Sequence, residues 1–294
     1  MKLSVIIGTR NRAASLQRAL DRMFAQKFSG DYDYEVIVVN NCSVDETEQV
    51  IKTHPAMQTG RLRYVWEPYP GLSAARNAGI TAAEGEILAF TDDDVLVDEN
   101  WLNEIYREMA AHPEISLLGG RVLLARPDLQ PITIILKEER EIIEDTSYIT
   151  FAIGANMVFR REVFAQAGRF DVRLGPGTFH AGSDDTDMIY RALRARFKAL
   201  YAPNIVVYHD HDRRTIEQAI MLEYNYGKGG GGFVMKHILV GDRHALRMLY
   251  WNIYNMLTER RRAAHTTEQR RRLWANLRGY LLGVAATPLL LLKR

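Results

Sequence analysis

Three aspartates in a row, Asp92-Asp93-Asp94, close the apolar run Ile87-Leu88-Ala89-Phe90. Carboxylates crowded at the end of a buried strand repel one another unless a cation joins them. A hard divalent cation suits them, because Mg²⁺ is typically held by one or two carboxylates together with substrate phosphates. The chemistry this predicts is the grip of a diphosphate through a bridging metal; the alternative is a solvated acidic loop. His209 and His211 follow a second strand-like run, Ile205 to Tyr208, and alternate, so that only one can point to the same side. A strand-end imidazole could complete the metal's coordination. A second acidic segment, Ser183-Asp184-Asp185-Thr186-Asp187, opens a helix. A carboxylate there can take a proton from a hydroxyl that must become a nucleophile, and it can equally serve the helix dipole. Arg10, Arg12 and Arg76 carry the planar fork suited to phosphate. The run Lys228-Gly229-Gly230-Gly231-Gly232 lacks the strand, spacing and following Ser/Thr of a P-loop and reads as a flexible loop.

These residues need elements to hold them. Leu3 to Ile7 reads as a strand, and Leu16, Ala19, Leu20, Met23 and Phe24 then recur at helical spacing. The unit repeats. Glu35 to Val39 precedes a helix from about Asp45, Arg63 to Trp66 precedes an Ala-rich helix through Ile80, and Ile87 to Phe90 runs into the aspartates. Strands alternating with helices imply right-handed crossovers and a mainly parallel central sheet flanked by helices. Ligands of such sheets bind beyond the carboxyl ends of the strands, which singles out Gly8 to Arg12, Asn40 to Ser43 and Thr91 to Asp94. From Leu117 the pattern loosens into strand-like pieces at 117–118, 122–124, 132–136 and 156–159, followed by a helix with Ile189, Ala192, Leu193 and Phe197 on one face. From about Arg213 the chain reads as helical and Arg-rich.

With 294 residues, 47% hydrophobic and 25% charged, the chain is an ordinary globular protein of one or two domains, which excludes disorder and collagen-like repeats. Its net charge of +2 conceals an asymmetry. Residues 1–212 hold 23 Lys/Arg against 31 Asp/Glu, a net of −8, and residues 213–294 hold 15 against 5, a net of +10. A basic module of this kind meets a polyanion or an anionic membrane. The single Cys42 suits a reducing compartment, and the Met1 to Ile7 segment reads as a strand rather than an export signal, so a cytoplasmic location is expected. Tyr280 to Leu292, 13 residues with Gly283 and Pro288 inside, is too short to span a bilayer.

Taken in order, these segments resemble the family-2 inverting glycosyltransferases of the GT-A fold. Ser4 to Arg12 is similar to the family's opening strand, and Val38-Val39-Asn40-Asn41-Cys42-Ser43-Val44-Asp45-Glu46-Thr47 to its second motif. Gly71 to Ile80 followed by Gly85 to Asp94 resembles the segment that carries the DxD motif. Gly154-Ala155-Asn156-Met157-Val158-Phe159-Arg160-Arg161 and Gly168-Arg169-Phe170-Asp171 resemble the acceptor-side stretch before the Glu-Asp base motif, here Asp184-Asp185. The resemblance covers roughly residues 1–212. It implies a GT-A domain there, with a donor half at about 1–115 and an acceptor half at about 116–212, and leaves 213–294 as a basic helical extension.

The resemblance further implies a metal-dependent enzyme that takes a sugar from a nucleoside-diphosphate sugar to a hydroxyl of a saccharide or lipid-linked saccharide, as in surface polysaccharide or glycoconjugate synthesis. Asp92, Asp94 and His209 would lie at a Mn²⁺ or Mg²⁺ ion, and Thr9, Arg12, Asn41, Arg76, Asp92 and Asp93 would bind the donor. Asn156 and Asp184 would stand on the acceptor side, and Asp185 would be the catalytic base. Two departures from the family pattern stand out: Asn40-Asn41 replaces a pair with at least one Asp that commonly recognises uracil, and Asp184 replaces Glu. Competing readings are a non-catalytic nucleotide- or carbohydrate-binding module with this fold, and a sugar nucleotidyltransferase, which Gly8-Thr9-Arg10 weakly matches. In the extension, Arg260-Arg261-Arg262, Arg270-Arg271-Arg272 and Arg278 interleave with Leu273, Trp274, Leu277, Tyr280, Leu281 and Leu282. That mixture predicts peripheral contact with the cytoplasmic face of a membrane through 260–292; the alternative is a helix packed against the body with a solvated basic edge. No nucleic acid is expected, since no reader motif accompanies the charge.

Overall fold

The structure is a computed structural model that describes residues 1–261 and 266–291. Strands β1 (Lys2–Thr9) and β2 (Asp33–Asn40) are buried almost from end to end, as the β-branched runs Val5-Ile6-Ile7 and Val36-Ile37-Val38-Val39 require of strands covered on both faces. Between them, helix α1 (Ala13–Phe24) buries Leu16, Ala19, Leu20 and Met23, the predicted stripe. Helix α2 (Thr47–Thr53), strand β3 (Leu62–Trp66), helix α3 (Leu72–Ala82) and strand β4 (Ile87–Asp92) repeat the unit. The four strands pair in parallel in the order β3-β2-β1-β4.

Beyond β4 the sheet is mixed. The chain continues through β5 (Val95–Val97), α4 (Trp101–Ala111), β6 (Ile115–Leu124), β7 (Glu141–Ile143), β8 (Met157–Arg160), α5 (Glu162–Gln166), α6 (Asp184–Arg194) and β9 (Lys198–His209). The sheet order runs on as β4-β8-β6-β9-β5, with β7 paired to β9. Strand β8 lies antiparallel to β4 and β6, whereas β6 and β9 are parallel. The strand-like run 132–136 makes only a bridge between Val122 and Ile135, because Thr133 turns the chain at φ 53°. Two registers matter for chemistry. Gly8 lies opposite Asp92, so the loop after β1 meets the loop after β4. Val95 lies opposite His209, so β5 and β9 bring the residue after Asp94 level with the histidine.

The described residues divide into two compact units, 1–170 with 188–212, and 171–187 with 213–261 and 266–291. Residues 171–187, counted above with the acceptor half, thus group with the C-terminal helices α7 (Ile216–Leu239), α8 (Arg243–Arg261) and α9 (Thr267–Leu291). Helix α7 starts at a capping box, in which Thr215 and Gln218 satisfy each other's backbone N–H groups. The glycine run expected as a flexible loop lies inside this helix. Its glycines are contact points: a Cβ on Gly227 would fall 2.0 Å from the Asn276 carbonyl oxygen, and one on Gly231 would fall 2.0 Å from that of Tyr280. On the facing helix, Cβ atoms on Gly279 and Gly283 would strike the Tyr224 and Lys228 carbonyl oxygens at 2.0 and 2.2 Å. Close backbone approach explains why residues of poor helix propensity sit in mid-helix. Among the described residues no helix is long and apolar enough to cross a membrane. Residues 262–265 and Leu292 of the predicted membrane segment lie outside the described residues.

Candidate active site

At the carboxyl ends of β1 and β4 the side chains form a chain of polar contacts. The Thr9 hydroxyl donates to Asp93 Oδ2 at 2.7 Å, and Ser15 Oγ donates to the Asp93 carbonyl at 2.8 Å. Arg12 Nη1 donates to Asp94 Oδ2 at 2.7 Å and stands 3.7 Å from Asp93 Oδ1. Asp94 Oδ1 lies 3.2 Å from His209 Nε2, and the other imidazole nitrogen of His209 meets Thr133 Oγ1 at 3.0 Å. The backbone closes the arrangement, with Asp210 N–H donating to the Asp94 carbonyl at 2.8 Å. The strand alternation is thereby resolved: His209 faces the aspartates, while His211 Nε2 meets the Gln130 carbonyl at 3.2 Å.

Asp92 turns to Arg76, whose Nη2 donates to Asp92 Oδ1 at 3.1 Å. This guanidinium is buried, lies over the Phe170 ring and passes against Gly154, where a Cβ would sit 2.2 Å from Nη2. The glycine of the Gly154-Ala155-Asn156 segment thus leaves space for the arginine that holds Asp92.

Burial and the neighbouring Asp94 charge push the Asp93 carboxyl up to about 7. Burial also raises Asp94, but the His209 hydrogen bond and the Arg12 charge outweigh it and hold that carboxyl well below the usual range. Among the described residues, no group of three His, Cys, Asp or Glu side chains forms a ready-made metal cage. Asp94 and His209 do place a carboxylate oxygen and an imidazole nitrogen together. Few protein ligands supplemented by substrate phosphates is the way Mg²⁺ is commonly held, and carboxylate oxygens equally suit Mn²⁺. The donor set therefore fits a divalent ion that arrives with a diphosphate.

Two residues predicted to face ligands do not. Both Asn41 amide protons are taken by the Glu67 and Tyr69 carbonyls, at 3.2 and 2.7 Å, and its Oδ1 accepts from Gly71 N at 2.7 Å. Asn41 therefore shapes the loop that leads into α3, where Gly71 sits at φ 132°, and has no amide proton left for a base. Asn156, placed on the acceptor side from sequence, is a core residue with 0% exposure. Its Nδ2 donates to the Arg121 and Ile205 carbonyls at 3.0 Å each, and its Oδ1 accepts from Trp101 Nε1 at 3.0 Å. An amide replaces ladder bonds here because β6 carries an irregularity between Gly119 and Arg121 in its pairing with β9. Asn156→Ala should lower unfolding free energy by about 3 kcal/mol, since it leaves a buried indole N–H and two carbonyls unpaired; urea midpoints of the two proteins check this.

Beside the carboxylates opens a cavity of about 890 Å³ whose lining includes Arg12, Ser15, Arg18, Arg126 and Asp210. Sequence reasoning passed over Asp210, which is buried between Arg18 Nη2 at 3.2 Å and Arg126 Nε at 2.7 Å. Its position between two histidines directly after a strand was the available signal. Thr133, which orients His209, carried none.

Asp184 and Asp185 belong to the second unit, at the start of α6. Asp184 is buried against Gly175, and Asp185 Oδ1 accepts from Thr186 N at 2.7 Å. Asp187 is fully buried and meets Lys236 Nζ at 2.7 Å and His237 Nε2 at 2.8 Å. Lys236 also reaches Asp171 at 2.8 Å. Ahead of the helix, Ala181 and Ser183 take φ 59° and 65°, a conformation that non-glycine residues hold only when their surroundings enforce it.

The glycosyl transferase family 2 model matches residues 4–168 of this sequence. The chain belongs to glycosyl transferase family 2. A second model, glycosyl transferase family group 2, matches residues 87–292. A glycosyltransferase of Nostoc sp. is 36% identical over 251 residues, covering 82% of this chain and 75% of the relative. Among solved structures, the mannosyltransferase PcManGT of Pyrobaculum calidifontis, in complex with GDP-Man and Mn²⁺, superposes with a TM-score of 0.59 at 18% identity, over 98% of this chain and 86% of that one. S. aureus TarS 1-349 in complex with UDP gives a TM-score of 0.57 at 19% identity, over 77% of this chain and 64% of the longer TarS chain. The fold of this family-2 protein is GT-A, a mixed α/β sheet with a C-terminal helical region.

Proposed function

We propose that the protein is an inverting glycosyltransferase that moves a sugar from a nucleoside-diphosphate sugar to a hydroxyl of a saccharide or lipid-linked saccharide, in surface polysaccharide or glycoconjugate synthesis on the cytoplasmic face of a membrane. The observation that carries the reading is the Asp93–Arg12–Asp94–His209 chain at the strand ends. Family membership and fold neighbours that hold GDP-Man with Mn²⁺, or UDP, support it. Asp94, His209 and Asp92 would hold Mn²⁺ or Mg²⁺. When bound, such an ion offsets the negative charge that builds on the departing nucleoside diphosphate. The protein's own groups do the rest. Arg12, anchored on Asp94, and Arg76, anchored on Asp92, present guanidinium groups to the donor, while Thr9 and Ser15 fix Asp93. Asp185 takes the proton of the acceptor hydroxyl, the hydroxyl oxygen bonds to the anomeric carbon from the face opposite the phosphate, and the bond to the β-phosphate oxygen breaks. The products are an inverted glycoside and a nucleoside diphosphate.

Nucleoside-diphosphate sugars screened by thermal shift with Mn²⁺ should yield at least one donor that raises the melting temperature. Product analysis with that donor should show nucleoside diphosphate; pyrophosphate from a nucleoside triphosphate would instead mark a nucleotidyltransferase. Asp185→Asn should reduce transfer by about 10³-fold, within the range general-base catalysis supplies, while the donor still raises the melting temperature. Near-normal transfer by that variant would remove Asp185 from its role.

A further inference from the structure

Helix α8 wears its apolar side outward. Leu246, Tyr250, Trp251, Tyr254 and Leu257 recur at helical spacing and are between 41 and 62% exposed. The three aromatic rings lean on one another, with Trp251 edge-on to Tyr250 at 5.3 Å and to Tyr254 at 5.5 Å. The opposite side is occupied within the unit, where Ala245 is buried and Asn252 Nδ2 donates to Tyr280 Oη at 3.1 Å. Exposed Arg243 and Arg247 share the outward face, and Arg243 to Thr258 contains no Asp or Glu. A contiguous exposed apolar surface marks an interaction site. Tyr and Trp with one wet edge, flanked by arginines, match the headgroup region of a bilayer, where the rings lie at the interface and the cations meet phosphates.

We propose that α8, through Tyr250, Trp251 and Tyr254 with Arg243 and Arg247, is the surface by which this protein docks on an anionic lipid bilayer. Charge complementarity favours a bilayer over a second copy of the chain, because residues 213–294 carry a net charge of +10 and would repel their own image. The site differs from the 260–292 segment expected from sequence, and it is independent of the transfer reaction, since vesicle binding requires neither donor nor acceptor.

The test uses the full chain and vesicles of phosphatidylcholine with 30% phosphatidylglycerol, a composition chosen as a probe at roughly the anionic content that polybasic segments sense. The wild type should co-sediment with them and not with pure phosphatidylcholine. Partitioning should fall about thirtyfold in Arg243→Gln/Arg247→Gln, from the usual worth of two basic residues at a charged surface. It should also be lost in Tyr250→Ser/Trp251→Ser/Tyr254→Ser. Because a triple variant can misfold, a second readout uses ring-conserving changes: nitroxide-labelled lipid should quench tryptophan emission in the wild type and in Trp274→Phe, but not in Trp251→Phe. Quenching that follows Trp274 instead, partitioning unaffected by the arginine changes, or no binding to anionic vesicles would each overturn the proposal. So would vesicle-independent dimerisation that the aromatic substitutions abolish, which would make the face a self-association surface.

Discussion

Replacing Asp94 by Asn should lower kcat/KM for sugar transfer by about 10²- to 10³-fold, the usual loss when one preorganised electrostatic contact to a developing charge is removed. Asp94 is the node of the site: Arg12 at 2.7 Å and His209 at 3.2 Å bind opposite oxygens of one buried carboxylate. An amide has nearly the same shape but only one acceptor oxygen, so it must present its NH₂ to one of those two partners. It also carries no charge for a divalent ion. Asp93→Asn is the control. Thr9 already donates to that carboxyl, and burial pushes it toward neutrality, so the loss there should be about tenfold or less by the same scale. Initial rates of nucleoside-diphosphate release, measured against Mn²⁺ concentration, separate the two; equal losses would contradict the assignment of Asp94 as the node. A pH effect accompanies it. A carboxyl held below its ordinary value of 3.8 contributes stability that is present above that value and fades as acid takes the pH down through the folded value. Acid unfolding of Asp94→Asn should therefore be shallower than that of the wild type.

Gly231→Ala should destabilise the helical unit by about 3 kcal/mol, at the upper end of what overpacking costs. Intrinsic propensity points the other way, since Ala is favoured over Gly in a helix interior by about 1 kcal/mol. The new methyl would lie 2.0 Å from the Tyr280 carbonyl oxygen and 2.9 Å from Val284 N, both backbone atoms that no rotamer can move. Relief requires α7 and α9 to separate, which also opens the contacts at Gly227, Gly279 and Gly283. One position earlier, a Cβ on Gly230 would meet only the Tyr280 ring, at 3.5 Å or more. Gly230→Ala should therefore stabilise the protein by about 0.5 to 1 kcal/mol. Thermal or urea unfolding of the two variants should give shifts of opposite sign; shifts of the same sign would refute the close approach.

The glycine run also shows where sequence reading stops. Four consecutive glycines read as a loop because propensity is local, and the partner that makes them useful, Gly279 with Gly283, is some fifty positions away. The parallel half of the sheet was legible because strands buried on both faces leave unbroken β-branched runs. The placement of Asp92, Asp94, Arg12 and His209 was legible too, since polar residues that follow such runs must emerge at the strand ends. Asn41 and Asn156 were misread for one shared reason: an amide looks the same in sequence whether it faces a ligand or braces the backbone. Only the fates of Gly71, Ile205 and Trp101 distinguish the two. Thr133 lay beyond reach because its use depends on a turn inside a segment that resembles a strand.

The pairing of Val95 with His209 has a consequence for how the protein is made. The aspartates leave the ribosome more than a hundred residues before the imidazole that joins them, and β9 must be complete before β5 has its neighbour. Until then the nascent chain carries the carboxylates without His209 or the backbone bond from Asp210. Non-local pairings of this span form late, because the loop must close before the contact rewards it. A partly synthesised chain thus holds the pieces of its site without the site, and affinity for a divalent ion with a diphosphate should arise in one step, when the last strand enters the sheet.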